Sequence, residues 1–275
     1  MQLPHQAKPK PITYKAARAI MGCNQLISER EANPKVKKQE QESGTHTAIL
    51  HLAPANLSGF NVCVHASDGC RDACLHTAGN PVHFKQKNKA RIEKTKAFFN
   101  ERKLFLGILE RELFARLAWC DKQGLRMAAR LNGTSDINWD MVADGMLYRL
   151  DKAGVVMYDY TKDPRQATQD SVRHIAYSRS EVNHRRAIKM LNLGVSVAVV
   201  VAGCGTSAHP KPLPRTMWKF NTVDGDPHDR IFEHPPGSVI LLRAKGEAKK
   251  DTSGFVVDQW GEPIRQLTQL TISAA

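Results

Sequence analysis

Short apolar runs alternate with amphipathic segments along most of this chain. Residues 195–202 are almost uninterruptedly apolar, which is typical of a strand buried on both faces of a sheet. In residues 102–122 the apolar side chains recur at three- and four-residue steps, which predicts a helix that ends at Gly124. The same patterns predict strands at 48–53, 125–131, 155–160, 174–178, 195–202, 218–223 and 239–243, and helices at 84–99, 102–122, 141–152 and 181–193.

The alternation of strands and helices predicts parallel βαβ units and an α/β fold. We expect a complete or partial (β/α)8-type barrel, with a doubly wound sheet as the alternative. Residues 1–44 are polar and proline-containing, which predicts an N-terminal arm, either mobile over DNA or wrapped on the core. Residues 45–275 are expected to form a single catalytic domain, in which residues 63–83 are a cysteine loop of the metal-binding type.

A strong excess of positive charge points to the class of partner. The chain has 40 Lys and Arg against 27 Asp and Glu, a formal net charge of +13. Such an excess favours a phosphate backbone through steering and counterion release, so we predict DNA as a partner, although basic patches also serve solubility or bind anionic membranes. No apolar run is long enough to cross a bilayer, and the N-terminal residues do not resemble a signal peptide, so we expect a cytoplasmic protein without membrane contact.

Three of the six cysteines lie close together after the first predicted strand: Cys63, Cys70 and Cys74. Converging thiolates repel one another unless a cation neutralises them, so in a reducing compartment this cluster favours a metal. Zinc needs a fourth ligand, for which His83 or His65 is better spaced than His76. Three cysteines also suit a [4Fe–4S] cluster with one open iron, so the ligands do not separate the two metals. The remaining interpretation is three reduced thiols without a metal.

Polar side chains follow nearly every predicted strand, and in parallel α/β folds the functional groups collect at those strand ends. The carboxylates among them are Asp136, Asp159, Asp224 and Asp226. The candidates for substrate binding are Asn56, Arg130, Asn132, Ser135 and Lys162. Carboxylates beside Arg130 and Lys162 can supply a nucleophile and a general acid or base. The competing interpretation is local, because Asn-Gly and Asp-Gly form turns and Asp136 suits a helix N-cap.

The predicted helix over residues 84–99 is strongly basic. We expect five of its side chains to lie near DNA phosphates: Lys85, Lys87, Lys89, Arg91 and Lys94. The alternative is a solvated helix face, which a run of charges usually is.

Several of these segments together resemble a family of small bacteriophage proteins. They are LAPANLSG at residues 52–59, the three clustered cysteines, RLNGTSD at residues 130–136 and YDYTK at residues 158–162. The resemblance covers about residues 45–245. The phage proteins are similar to distant relatives of the tRNA-guanine transglycosylases, and they occur with phage pathways that place 7-deazaguanines in DNA.

The resemblance implies a (β/α)8-type enzyme that exchanges guanine in DNA for a 7-deazaguanine base in the cytoplasm of an infected cell. An aspartate would attack C1′ of a deoxyguanosine and displace guanine, and the 7-deazaguanine would capture the covalent intermediate. The tRNA enzymes carry their nucleophile late in the chain, so Asp226 or Asp224 is expected to be the nucleophile. Asp136 and Asp159 would then hold the base or move its proton. Asp159 faces the barrel interior if its two neighbouring tyrosines face the helices.

The cysteines depart from the tRNA enzymes, whose zinc cysteines lie late in the chain with C-x-C-x2-C spacing. Here they lie early, with C-x6-C-x3-C spacing. Their place after the first strand resembles radical S-adenosylmethionine enzymes, although those usually have C-x3-C-x2-C. Two further functions therefore stay open: a radical iron–sulfur enzyme, and a non-catalytic nucleic-acid-binding protein whose metal is structural.

Overall fold

The structure is a computed structural model that describes residues 13–30, 34–78, 84–206 and 208–265. Its helices are α1 (Tyr14–Met21), α2 (Pro34–Ser43), α3 (Asp68–Asp72), α4 (Phe84–Asn100), α5 (Arg102–Gln123), α6 (Trp139–Lys152), α7 (Pro164–Thr168) and α8 (His184–Asn192). Its strands are β1 (Thr45–Ile49), β2 (Arg126–Arg130), β3 (Val156–Thr161), β4 (Arg173–Ser178), β5 (Val197–Val201), β6 (Thr216–Met217), β7 (Phe220–Asp224), β8 (Val239–Arg243), β9 (Ser253–Val257) and β10 (Pro263–Arg265).

The strands form one ten-stranded and mostly parallel sheet, which confirms the predicted α/β fold. Their order is β1-β2-β3-β4-β5-β8-β7-β6, and β9 pairs with β5 and β10. The β6–β7 and β9–β10 pairs are antiparallel, and the other pairs are parallel. β1 and β6 lie at opposite ends of this order, and within the described residues no pairing joins them. The described strands therefore do not close a (β/α)8 barrel.

The long helices that follow β1, β2 and β4 pack on one face of the sheet, which we call the helix face. Met127 and Met157 pack with α5 and α6, and Val197 packs with α8. Met157 and Thr161 share a face of β3, because residues two apart on a strand share a face. Thr161 pairs with Tyr177, which pairs with Val197, so α5, α6 and α8 lie on the same side of the sheet. A doubly wound sheet carries helices on both faces, so the winding here differs from that alternative.

Residues 225–238, which connect β7 to β8, cover the opposite face, which we call the inner face. Ile231 packs with Ala128 and Tyr158, and the ring of Phe232 lies 5.6 Å from that of Tyr158 and 5.7 Å from that of His174. Parallel neighbours need a crossover connection, usually an α-helix. This crossover instead contains a short 3-10 helix, Ile231–Glu233, that buries the inner face.

The described part of the predicted N-terminal arm packs on the core. Met21, Leu26 and Ile27 are buried in the cluster that contains β1 and α5. The carboxylate of Glu112 accepts the backbone N–H groups of Leu26 and Ile27 at 2.9 and 3.0 Å. In the described part of the chain, the core therefore continues across the predicted domain boundary at residue 44. A few apolar side chains anchor this segment, although its overall composition is polar. Residues 1–12 of the predicted arm lie outside the described residues.

Most predicted elements agree with the structure to within a few residues, because their apolar periodicity reflects real burial. In α5 the predicted positions Phe105, Leu109 and Leu113 are fully buried, and Gly124 ends the helix in a left-handed conformation at φ 65°. The first strand was predicted too late, at residues 48–53 instead of Thr45–Ile49. Helices α1 and α2 lie in the segment that was predicted only as a polar arm. The short elements α3, α7, β6, β9 and β10 were not predicted, since few residues carry their pattern.

Candidate functional site

The carboxylate of Asp226 lies just after β7, at the carboxyl ends of β7 and β8. Its Oδ1 accepts Lys245 Nζ at 2.6 Å, and its Oδ2 accepts the backbone N–H and the Nη1 of Arg243 at 3.1 and 3.2 Å. Burial alone would raise the pKa of Asp226, but the Lys245 ammonium and Arg243 outweigh it and hold the pKa below its usual value. The Asp226 side chain is 4% exposed, whereas that of Lys245 is 37% exposed. Asp226 is thus a buried, ionised carboxylate with a partner that reaches solvent.

Asp224 belongs to the same ion-pair network but lies on the helix face. Both of its oxygens accept Arg243 Nη1 at 2.9 Å. Its register partner Leu241 packs in the cluster with α8. Asp226 also pairs with Lys245 and adds to the raised pKa of Tyr160, whose register partner Ala176 packs on the inner face. The two predicted nucleophiles therefore lie side by side on Arg243 Nη1, and Asp226 is the one that is also bound to Lys245.

Three side chains of the inner face lie at the same edge of the sheet. The Arg130 guanidinium lies 4.7 Å from the Tyr160 ring centroid and donates to Asp229 Oδ2 at 3.2 Å. His51 follows β1, and burial with the charges of Arg91 and Arg130 lowers its pKa to about 3, so the imidazole is neutral at physiological pH. Its buried Nδ1 has no hydrogen-bond partner in the described part of the chain. Five residues make up what we call the strand-end site: His51, Arg130, Tyr160, Asp226 and Lys245.

The loop after β2 is folded by its own polar side chains. Asn132 Oδ1 accepts Ser135 Oγ at 2.8 Å, the Ile137 N–H at 3.0 Å and Trp139 Nε1 at 3.0 Å. Gly133 then lies against His51, where an added Cβ would be 2.4 Å from Nδ1. Asn132 and Ser135, predicted to bind substrate, therefore organise the loop that covers His51.

Asp136 braces the ends of β2 and β3. Its carboxylate accepts Thr161 Oγ1 at 2.6 Å and the Lys162 N–H at 2.9 Å. The residue that caps α6 is Asn138, so the predicted alternative of Asp136 as an N-cap is not adopted. These bonds hold Lys162 at the end of β3.

Asp159 lies on the helix face of the sheet. An interior position was expected only if its two neighbouring tyrosines faced the helices, and they do not. Its neighbours Tyr158 and Tyr160 are the residues that face inward. Asp159 accepts the Asn132 N–H at 2.8 Å and Arg173 Nη1 at 3.1 Å, and Arg173 also binds Asp140. Burial raises the pKa of Asp159 to about 6, and at neutral pH the ionised carboxylate pairs with Arg173. The structure does not bring it to the strand-end site.

The Lys162 side chain lies near the clustered cysteines. Burial lowers the pKa of Lys162, but Cys70, Asp136 and Cys63 outweigh it and raise the pKa above its usual value. Burial raises the pKa of Cys63 to about 11, and it also raises that of Cys74. The Cys63 and Cys74 thiols are therefore protonated at neutral pH and lie near the Lys162 ammonium.

The cysteine loop is fastened to two other strand ends. Glu181, after β4, accepts Ser67 Oγ at 2.8 Å and the Gly69 N–H at 2.9 Å, at the start of α3. At the other end, Thr77 Oγ1 accepts the Glu247 N–H at 3.3 Å. Glu181 closes the loop over the sheet edge, a role that its sequence position after a Ser-Arg-Ser run does not reveal.

The cluster does not fit a metal in this conformation. Within the described residues, no group of three His, Cys, Asp or Glu side chains is arranged to hold one. Lys162 puts a positive charge among the thiols, where a cation would have to sit. His65 lies 3.5 Å from Asp163, and the predicted ligand His83 lies outside the described residues.

The basic helix α4 divides into an exposed part and a packed part. Lys85, Lys87 and Lys89 are exposed. Lys94 Nζ donates to the Leu26 carbonyl at 2.8 Å, so it is not available to a phosphate. Arg91 is partly buried beside His51 and Cys74 and lowers the pKa of His51. The predicted DNA-binding set thus splits between a surface row and a group at the strand-end site.

A cleft of about 370 Å³ opens beside Lys245. Its described lining residues are Ala78, Thr206, Ala208, Ala244, Lys245, Gly246 and Lys249, which include two lysines and no carboxylate. Asn56, predicted to bind substrate, is in an exposed turn whose carbonyl accepts the Gly59 N–H at 2.9 Å. The strand-end site is therefore reached from a positively charged opening that Asn56 does not line.

Lys245, His51 and Tyr160 were not predicted as site residues. Lys245 follows β8 by two residues, so the rule that placed Asp226 also applied to it. His51 sat inside the predicted strand, and Tyr160 was treated only as a neighbour of Asp159. All three residues lie at or near predicted strand ends, which is where site residues are expected. Lysine, histidine and tyrosine are also common in the core or on the surface, so their residue types did not mark them as functional.

The family described as gene product 88 matches residues 25–259. The chain therefore belongs to this family, and the match includes β1 to β9 with every residue of the strand-end site. Searches of curated proteins and of solved structures found no match. No helix in the described ranges combines the length and the apolar character needed to cross a membrane.

Proposed function

We propose that this protein is a DNA-modifying enzyme that exchanges guanine for a 7-deazaguanine base at the strand-end site, with Asp226 as nucleophile. The observation that carries the proposal is an ionised, 4% exposed carboxylate beside an opening lined by lysines. The sequence resemblance supplies the reaction class and action in the cytoplasm of a phage-infected cell. Of the complete and the partial barrel that it implies, the open order of the described strands is compatible with the partial one.

The proposed reaction has two displacements at one carbon. A carboxylate oxygen of Asp226 forms a bond to C1′ of deoxyguanosine, while the C1′–N9 bond breaks and its electron pair leaves with guanine, which takes up a proton. The incoming base loses its N9 proton, and N9 bonds to C1′ as the ester bond to Asp226 breaks. Covalent catalysis of this kind replaces one difficult displacement by two easier ones.

Lys245 has two roles in this proposal. It keeps Asp226 ionised, which a nucleophile needs, but it also occupies Oδ1. A DNA phosphate entering the cleft competes for the ammonium and so frees Oδ1, because a phosphate is a strong charge-assisted acceptor. Oδ2 stays bonded to Arg243, which fixes the direction of the carboxylate.

Cations of the inner edge support an anionic substrate. The guanidinium of Arg91 forms no ion pair with a carboxylate within the described residues, and burial lowers its pKa. Partly buried cations without a carboxylate are costly unless another group neutralises them. A phosphate backbone would supply that group. The stacked Arg130 and Tyr160 pair offers an aromatic surface next to Asp226 on which a base can lie.

Trapping of a covalent adduct tests the proposal. Protein, duplex DNA and labelled 7-deazaguanine are incubated, and a denatured protein–DNA complex is mapped by mass spectrometry. We expect an adduct on Asp226 and incorporation of label, both lost by on the order of 10³-fold or more in Asp226→Asn. Asp144→Asn, on the exposed face of α6, is the control and should behave as wild type. An adduct on Asp136 or Asp159 would reassign the nucleophile, and no incorporation under any metal condition would remove the proposal.

Zinc held by Cys63, Cys70 and Cys74, with a fourth ligand such as His83, is a separate proposal. It requires Lys162 to leave the thiols and the thiols to lose protons, so metal binding should release protons. Metal analysis of the purified protein and a proton count on zinc addition test it. Neither bound zinc nor proton release would leave the cluster as reduced thiols.

A radical iron–sulfur enzyme is the second candidate function. The observation that favours it is the single-faced winding of β1 to β5, with three thiols in the loop after β1. Anaerobic reconstitution with iron and sulfide, followed by absorbance in the iron–sulfur charge-transfer region, tests it. A colourless protein with one zinc excludes it. If neither reaction is found and Asp226→Asn leaves DNA binding intact, the non-catalytic DNA-binding function is supported.

A further inference from the structure

We propose a second nucleotide-binding pocket between α1, residues 25–30 and α5, outside the strand-end site. This cavity has a volume of about 630 Å³, within the range of small-molecule sites. Its lining residues that carry the argument are Tyr14, Arg18, Arg30, Arg116 and Trp119. The ligand class is a nucleotide, with its base on Trp119 and its phosphate on the arginines.

The arginines of the cavity form no direct ion pair with a carboxylate in the described part of the chain. Arg116 is 8% exposed, and burial followed by the charge of Arg30 lowers its pKa. Its guanidinium contacts His46 at 2.7 Å and the Ser28 carbonyl at 2.9 Å. Arg18 Nε is buried without a hydrogen-bond partner. In the described part of the chain none of the three arginines lies within 4 Å of a carboxylate oxygen, so an anion would stabilise the group.

The two acidic side chains of the lining do not reverse this balance. Glu112 is committed to Tyr14 OH at 2.9 Å and to two backbone N–H groups at 2.9 and 3.0 Å. Glu29 and Arg30 are both exposed. The lining holds three arginines against two carboxylates, so its formal net charge is positive.

Aromatic rings give the cavity its preference for a base. The Arg30 guanidinium lies 4.8 Å from the Trp119 ring, and the Arg18 guanidinium lies 4.9 Å from the Tyr14 ring. Arg30 is exposed, so it can leave the Trp119 face and turn to a phosphate while a base takes its place. Stacking of a base on an aromatic side chain together with a charge-assisted phosphate contact is the usual mode of nucleotide capture.

Calorimetric and fluorescence titrations test the pocket, with dGMP, a ten-residue dT oligonucleotide and inorganic phosphate as probes. We expect dGMP to bind with about tenfold lower affinity in Arg30→Ser, because one stacked, phosphate-binding cation is lost. Lys103→Ser removes the same charge from an exposed position of α5 outside the cavity, and it should bind within about twofold of wild type. Trp119→Phe should remove the fluorescence change while keeping much of the affinity.

The probes also separate the sources of the ligand. Equal affinity for dGMP and the oligonucleotide assigns the pocket to a free nucleotide, and tighter binding of the oligonucleotide assigns it to a DNA strand. Wild-type affinity in Arg30→Ser, or binding of phosphate alone with no contribution of Trp119, overturns the proposal, as does no binding at millimolar concentration. The Asp226→Asn variant should bind dGMP at this pocket as the wild type does. The pocket proposal can therefore fail without affecting the proposed reaction.

Discussion

The two faces of the sheet bury charge in different ways. On the helix face, Arg173 is 1% exposed and lies between Asp159 at 3.1 Å and Asp140 at 2.5 Å, with Gln166 Oε1 at 3.0 Å. On the inner edge, the His51 Nδ1 has no partner, and Arg91 has no carboxylate within the described ranges. The first network is satisfied by the chain itself, whereas the second is left incomplete.

This difference distinguishes structural charges from candidate binding groups. A buried charge is tolerated only when it is paired and hydrogen-bonded, so a complete network needs nothing further from outside. Incomplete groups at the carboxyl ends of parallel strands lie where α/β folds bind ligands. Asp159 and Asp136 belong to the first kind, and His51 and Arg91 to the second.

The largest expected effect is on stability. Arg173→Met should lower the free energy of unfolding by about 3–5 kcal/mol, because it leaves Asp159 and Asp140 buried without their cation. Arg149→Met removes an arginine of similar pairing, with Glu110 at 2.6 Å, but its side chain is 57% exposed, so the loss should be far smaller. Urea denaturation followed by circular dichroism measures both. Equal losses in the two variants would mean that the helix-face network does not stabilise the fold.

The sequence predicted the fold better than it predicted the site. Long periodic segments such as α5 were found because burial repeats along them, and the strand-end rule pointed to the region of Asp226. It could not distinguish Asp226 from Asp224, because both follow the same strand end and differ in a partner distant in sequence, Lys245, which pairs only with Asp226. The interior position predicted for Asp159 depended on the assumption that Tyr158 and Tyr160 face the helices. Tyrosine is amphipathic and suits either face, so the sequence could not test this assumption. Partners distant in sequence, such as Glu181 with Ser67, leave no local pattern.

The next largest effect concerns Lys245. Lys245→Met removes the cation that holds the pKa of Asp226 below its usual value, so that pKa should rise. The acid limb of the pH–rate profile should then move to higher pH. Stability follows with a fixed sign, because a depressed carboxyl pKa stabilises the fold above the unfolded-state pKa and this contribution is lost as pH falls. The variant should therefore lose less stability on acidification.

Lys249→Met is the matched control, since Lys249 lines the same cleft but is exposed and has no ion pair with Asp226. It should leave the acid limb and the acid dependence of unfolding unchanged. Identical profiles in the two variants would show that cleft charge in general, and not the contact with Asp226, sets the pKa.

A smaller effect is expected at Arg91. This residue of α4 lies at the inner edge, where charges are incompletely paired, so it can be compared with an exposed lysine of the same helix. Arg91→Gln should weaken duplex DNA binding by about tenfold without loss of stability, because the cation has no carboxylate partner in the described part of the chain. Lys96→Gln, an exposed change on α4, should have little effect. Fluorescence anisotropy with labelled duplex measures binding. A loss of stability without a loss of binding would place Arg91 among the structural charges.

The smallest effect concerns the exposed row of α4. Lys85 and Lys89 are four residues apart and share a helix face, whereas Lys87 points away from them. Lys85→Glu with Lys89→Glu should weaken DNA binding by about threefold to fivefold for every sequence, and should reduce the slope of log K against log salt by about two, since each phosphate contact contributes about 0.9. Lys122→Glu with Lys152→Glu reverses the same charge at the ends of α5 and α6, at the opposite edge of the sheet. Equal slopes in the two double variants would show that net charge alone attracts DNA. A change in slope confined to the α4 double variant would indicate that the exposed lysines of α4 and the inner edge form one DNA-binding surface.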